Sequence, residues 1–167
     1  VSVTVRVLGS ADAAAFRALR LQALAEDRAN FASIYEDERD TPLSVVAQRM
    51  VAAPDRAIVG AFDGPTLVGL AAWHREEIDG LEHQGFVWGV FVSPSHRGQG
   101  LARLLLNRVI DLARRAQGIK ELTLVAYADN GHALALYESL GFVTHGRQPN
   151  GSGADSRPDD LHMRLRL

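Results

Sequence analysis

The 167-residue sequence contains no cysteine. Disulfide scaffolds, zinc ribbons, iron–sulfur sites and thiol nucleophiles are excluded by that count. An excess of charge is missing too. With 18 basic against 20 acidic residues the formal net charge is -2, so no general affinity for nucleic acid is implied. Long apolar runs are absent: stretches such as Leu67 to Trp73 are far too short to span a bilayer, and no membrane partner is expected. The N-terminal VSVTVRVLGS lacks the apolar core of a signal peptide, which makes a cytoplasmic protein the expectation. The six histidines have no metal-ligand spacing and no His-Glu-x-x-His occurs, so no metal is expected. Neither a repeat nor a central linker is found.

What is present suits a folded domain. Hydrophobic residues make up 47% and charged residues 23% of the chain. A chain of this length buries roughly 68–70% of the surface its unfolded form exposes, so one domain over residues 1–167 is expected without staples.

The pattern predicts a strand over Val1 to Leu8, then a helix from an N-cap at Ser10 to about Ala25, carrying Phe16, Leu19 and Leu24. The stretch Arg28 to Thr41 reads as less regular, with an acidic run at Glu36-Asp37-Glu38. A second helix is expected from Pro42 to about Ala53, with Leu43, Val46 and Met50 as its buried stripe. Strands at Ala57 to Phe62 and Thr66 to His74 flank the turn Asp63-Gly64-Pro65, and a third runs from Gln84 to Ser93. Leu101 to Ala116 is strongly amphipathic, with Leu101, Leu104, Leu105, Val109, Leu112, Ala113 and Ala116 on one stripe. A strand at Ile119 to Ala126 follows, then a helix from Asn130 to Leu140, capped by Asn130 and stopped by Gly141. Strands at Phe142 to Arg147 and Leu161 to Leu167 close the chain, and PNGSGADSRPDD between them reads as a mobile loop. Hairpins followed by a βαβ crossover predict an α+β fold with a mixed sheet and helices on both faces.

The most informative segment runs from Val90-Phe91-Val92 through Ser93-Pro94-Ser95-His96 to Arg97-Gly98-Gln99-Gly100-Leu101-Ala102. A hydrophobic strand ends, a glycine-bearing loop follows and a strong helix begins at once. The first turn of a helix leaves N–H groups unpaired and its dipole adds partial positive charge, which together suit an anion. Gly98 and Gly100 let a phosphate approach the backbone, and Arg97 can add a positive charge. A dinucleotide fingerprint would need glycine where Arg103 stands, and a P-loop would need Gly-Lys-Ser/Thr. A plain strand-to-helix turn with no ligand stays open on this segment alone.

Arg97-Gly98-Gln99-Gly100-Leu101-Ala102 resembles the Gln/Arg-x-x-Gly-x-Gly/Ala motif of the GNAT superfamily of N-acetyltransferases. A second block, Asn130-Gly131-His132-Ala133-Leu134-Ala135-Leu136-Tyr137-Glu138-Ser139-Leu140-Gly141-Phe142, is similar to that superfamily's Asn-x-x-Ala-x-x-Leu-Tyr-x-x-Leu-Gly-Phe. The element order agrees with the superfamily fold over nearly the whole chain. The resemblance implies acetyl-CoA as co-substrate and direct transfer of its acetyl group to a primary amine of a small molecule, peptide or protein, in a bacterial-type enzyme. It implies that the N–H groups from Gly98 to Arg103 hold the CoA diphosphate. It places the pantetheine arm along Val90, Phe91 and Val92, with the Val90 N–H as donor to the thioester carbonyl. A strand bulge is expected, with which Gly89 is compatible. Tyr137 becomes the general acid for the departing thiolate; by spacing alone, within the stripe Ala133, Leu136, Tyr137 and Leu140, it reads as a core tyrosine. Asn130 reads as helix cap and, by resemblance, as a contact near the CoA sulfur. A homodimer is common in the superfamily.

The general base does not carry over. Where superfamily members place a glutamate, this chain has Phe86 and Trp88 on one strand and Val125 on the next. Glu82, His83, Glu36, Glu38 and His162 are individually weak candidates. The segment Phe31 to Glu38 is similar to one bordering the acceptor pocket in bacterial members, which makes Glu36 and Glu38 candidate contacts for a cationic amine; a solvated acidic turn is the competing reading. Trp73 and Trp88 are candidates to line that pocket, although core packing suits them better. A second class stays open: a non-catalytic acyl-CoA-binding or sensing module that kept the cofactor site and lost its base.

Overall fold

Apolar and polar residues alternate along Val3–Val7 (β1), while Arg56–Asp63 (β2) and Thr66–Arg75 (β3) are nearly continuous apolar runs. The second kind of pattern marks strands covered on both faces. β2 and β3 turn back on each other at Gly64, whose φ of 57° spares a side chain the strained left-handed region. Gln84–Val92 (β4) adds antiparallel to β3. The structure, a computed structural model, describes residues 2–150 and 157–167, and for residues 28–31 the backbone course alone.

Three helices join β1 to β2. Ala13–Glu26 (α1) follows a short 3-10 turn at Ser10–Asp12; Arg28–Asp40 (α2) and Leu43–Arg49 (α3) come after it. α2 corrects the expectation of an irregular stretch. Its mixture of charges masks any apolar stripe, yet Thr41 closes it through Oγ1 and N–H, both donating to Asp37 O. α3 is shorter than expected, and Leu43 is exposed while Val46 and Met50 are buried.

The chain then crosses over. Leu101–Arg115 (α4) connects β4 to Glu121–Tyr127 (β5), which lies parallel to β4. Gly131–Ser139 (α5) leads to Val143–Asn150 (β6) and Arg157–Arg166 (β7). The sheet order is β1-β2-β3-β4-β5-β7-β6, antiparallel except at β4 and β5. This is the mixed α+β sheet the pattern predicts. The segment expected as a mobile loop divides: residues 151–156 lie outside the described residues, and Arg157 to Asp160 belong to β7.

Two cores sandwich the sheet. One packs Leu105, Leu106, Val109 and Ala113 of α4, with Tyr137 of α5, on Trp73, Leu122 and Met163. The other packs Phe16 and Leu19 of α1, with Val46 and Met50, on Phe62, Leu67 and Leu70. Leu104, assigned to the buried stripe of α4 by spacing, is exposed, and Leu106 and Ile110 take the buried positions. The helix turns a face toward the sheet slightly rotated from the one the spacing selects.

Candidate active site

β4 and β5 pair only at their starts, Gln84–Phe86 with Glu121–Thr123. Beyond that they part, and a groove of about 520 Å³ opens between them. A bulge sits on the β4 wall. Ala72 faces Trp88 and Leu70 faces Phe91, so Gly89 and Val90 together oppose the single residue Ala71. Gly89 takes φ 67°, a left-handed conformation that glycine adopts without strain. The bulge therefore places Val90 in the groove wall without a register partner in β3.

β4, which walls the groove as far as Phe91, leads on to the glycine loop. Gly98 and Gly100 both take φ 78°, and a Cβ added to either would meet no atom within 4 Å. The space over the loop is open. Gly100 caps α4 without any side-chain hydrogen bond. The first N–H of this segment with a backbone acceptor is that of Leu104, which donates to Gly100 O. The N–H groups of Gly98, Gln99, Gly100, Leu101, Ala102 and Arg103 donate to nothing among the described residues. A run of unpaired donors at the positive end of a helix dipole, with no side chain over it, fits a diphosphate.

The loop's two arginines are engaged elsewhere. Arg97 donates from Nε to Val92 O at 2.9 Å and from Nη2 to Glu26 at 2.9 and 3.0 Å, with its guanidinium over the Phe91 ring. It ties the loop to α1. Arg103 donates to Ser139 Oγ at 2.9 Å and ties α4 to α5. The donors left unpaired in this loop are thus backbone N–H groups.

On the other side of the groove, Asn130 caps α5 by accepting from the Ala133 N–H at 3.2 Å. One helix turn later Tyr137 is 8% exposed and packs edge-on against Phe142. Its ring is core and its face lines the groove. Burial disfavours the phenolate and pushes the Tyr137 pKa up to about 12. The group is held as a proton donor.

The remaining candidates scatter. Trp88 lines the groove, as does Phe86; Trp73 points into the opposite core, with its indole N–H buried and unpartnered. Glu38 is engaged by Arg20, whose Nε donates to both carboxylate oxygens at 3.1 and 3.3 Å. Glu36 is exposed and lies outside the groove lining. Glu82 sits in the turn before β4, its carboxyl held below the usual range by the N–H groups of Glu82 itself and Gly80. His83 faces Glu121 at 3.7 Å. His162 borders a separate cavity of about 160 Å³ with His145.

Several groove residues escaped the sequence reading, among them Arg20, Tyr127, Arg157 and Asp160. Tyr127 faces Asp160 in the β5–β7 register, on the sheet face opposite Leu124 and Met163. Burial, then a hydrogen bond to Asp27 and the nearby charge of Asp160, push the Tyr127 pKa up to about 12. The signal for Asp160 was present. The alternation Asp160, His162, Arg164 against Leu161, Met163, Leu165 extends one step upstream of the strand assigned from sequence.

A larger cavity, about 780 Å³, lies between Val7, Arg49, Pro54, Trp73 and Arg115. It shares Trp88 with the groove but touches neither the glycine loop nor Tyr137.

Comparison with known proteins gives three findings. The model of the Acetyltransferase (GNAT) family matches residues 21–142. N-alpha-acetyltransferase RimI of Mycobacterium tuberculosis is 38% identical over 112 residues, which are 65% of this chain and 67% of that one. L-amino acid N-acyltransferase MnaT of Escherichia coli is 38% identical over 90 residues, but the match spans only 51% of its length and 53% of this chain. Among solved structures, yncA of Salmonella typhimurium with its cofactor acetyl-CoA superposes at TM-score 0.75 and 24% identity, covering 100% of this chain and 95% of that one.

Proposed function

The chain belongs to the GNAT acetyltransferase family, and from that premise we propose that it transfers the acetyl group of acetyl-CoA directly to the nitrogen of a primary amine in the groove between β4 and β5. The observation that carries this reading is a groove lined by a bulged strand and a protonated tyrosine, whose strand β4 runs on into a loop of unpaired N–H groups.

Acetyl-CoA supplies, when bound, an acetyl thioester whose carbonyl carbon an amine nitrogen can attack. The N–H groups of Gly98 to Arg103 hold the diphosphate, since they have no acceptor among the described residues. The free side of β4 from Val90 to Val92 offers backbone groups to an extended arm, as an added strand would. Val90, set apart by the bulge, donates its N–H where negative charge develops on the carbonyl oxygen, and a fixed backbone dipole needs little reorganisation there. Tyr137 keeps its proton at Oη and gives it to the sulfur. Asn130 holds the start of α5 so that Tyr137 faces the groove.

Thiol release from acetyl-CoA, followed over a panel of amines, tests the proposal. Release that depends on added amine is expected, and Tyr137→Phe should lower kcat by roughly 10²- to 10⁴-fold, the usual reach of general acid catalysis, with CoA affinity nearly kept. CoA binding without release on any amine would instead fit a sensing module.

A further inference from the structure

We infer that Glu26 and Asp27, consecutive residues at the C-terminal end of α1, are positioning residues that strap the two lips of the groove, β4 and β5, to one another and so set Val90 against Tyr137. The inference rests on the acetyl-transfer reading of the groove and adds what aligns its parts.

The need for a strap follows from the sheet. β4 and β5 pair only as far as Phe86 and Thr123. Val90 lies further along β4 and Tyr127 further along β5, with no ladder between them. Strands that part lose the hydrogen bonds that fix their spacing. On one sheet face helices join the lips: Arg103 of α4 donates to Ser139 Oγ of α5, beside a shared core. α1 lies on the opposite face, where its Phe16 and Leu19 pack with Phe62, Leu67 and Leu70.

On that face the end of α1 reaches both lips. Glu26 accepts from Arg97 Nη2 at 2.9 and 3.0 Å. Arg97 Nε donates to Val92 O at 2.9 Å, which fixes the same guanidinium to the last residue of β4. The next residue, Asp27, accepts from the Tyr127 hydroxyl. Tyr127 ends β5, and its carbonyl accepts at 3.1 Å from the N–H of Asn130, the cap of the helix that carries Tyr137. Asp160 and Arg157 also face Tyr127, and the Ala128 N–H donates to Asp159 O, so this lip is held to β7 as well. Just before Glu26, α1 lines the groove with Arg20, Ala23 and Leu24.

The two bonds act in series. The path runs from Val92 through Arg97, Glu26, Asp27 and Tyr127 to the start of α5, and breaking either bond frees the lips on this face. Neither carboxylate lines the groove, so both act through Arg97 and Tyr127 and not on the reacting atoms. The Val90 N–H and the Tyr137 hydroxyl serve two atoms of one thioester, its oxygen and its sulfur. A shift of about 1 Å between groups that must act together is enough to cost much of the rate.

Because the chain has no cysteine, two introduced ones give unique labelling sites. Ser95→Cys, beyond β4, and His132→Cys, on α5, are both at exposed positions and carry spin labels in the full chain. The distance between the labels should be narrowly distributed, and Tyr127→Phe or Glu26→Ala should each broaden it. Thiol release from acetyl-CoA, with the amine of the panel that the wild-type protein turns over fastest, should fall in kcat by about fivefold to tenfold in each variant, the scale of a lost hydrogen bond. CoA affinity of Tyr127→Phe should stay within about twofold, since its change lies away from the diphosphate loop. The double variant Glu26→Ala/Tyr127→Phe should be no slower than the slower single variant, as two bonds in series require. A double variant slowed by the product of the two single effects overturns the strap, and so does an unbroadened distance in both single variants; either leaves acetyl transfer standing. Absence of amine-dependent release from the wild-type protein overturns acetyl transfer, and the distance distributions then decide the strap by themselves.

Discussion

The Tyr137 hydroxyl stands at the border between a packed ring and an open groove, and the two surroundings ask opposite things of it. Packing against Phe142 makes the phenolate costly; the groove needs the neutral phenol as a donor. Tyr127 is shifted the same way, both to about 12. For both groups the folded state binds the proton more tightly than the unfolded chain, whose tyrosines titrate near 10. Their contribution to stability is therefore complete below about pH 10 and is lost as pH rises toward 12. Phenolate absorbance should show this: Tyr137→Phe should remove a transition near pH 12, and removal of one near pH 10 would contradict the burial of this side chain. Spacing alone had left Tyr137 as a core residue, and it is one. The motif suggested a second role beside the groove that it borders, because a side chain's second neighbour is invisible to periodicity. Arg97 shows the converse: its glycine neighbours suggest a phosphate ligand, but Glu26, distant in sequence, occupies its guanidinium.

Elements were legible where one force shaped them. α4 and the β2–β3 hairpin have apolar periodicities strong enough to place them within a residue or two. α2 was missed because it is charged on most faces and owes its course to neighbours such as α1, through Arg20 and Glu38. β7 was begun late because Pro158 and two aspartates look like turn residues, although its pairing with β5 reaches back to Asp160. The join of β4 and α4 was legible as a candidate anion site, since that reading depends on backbone donors and not on distant partners. Gly100→Ala tests the element directly. The left-handed φ should cost about 1–2 kcal/mol of stability, while the new methyl stands where a phosphate must approach. CoA affinity should drop at least about tenfold in a titration on folded protein; unchanged affinity would place the diphosphate elsewhere.

At the scale of the whole molecule, the sheet is one continuous surface that fails to close at a single seam. The seven strands follow each other around it, and only the parallel pair β4–β5 separates after three residue pairs. Every feature of the proposed chemistry lies along that seam: the loop at the end of β4, the bulge within it, and Tyr137 from the helix after β5. No helix among the described residues is long and apolar enough to cross a membrane. The resemblance implied the parting of the strands through a bulge near Gly89, whereas the residue pattern alone does not show it, because β4 and β5 each look like ordinary buried strands until their register is known. The most direct test is a crystal structure with CoA bound. The diphosphate should lie within hydrogen-bond distance of the N–H groups from Gly98 to Arg103, the arm along Val90 to Val92, and the sulfur beside Tyr137. CoA seated instead in the larger cavity between Arg49, Trp73 and Arg115 would contradict the assignment of the groove.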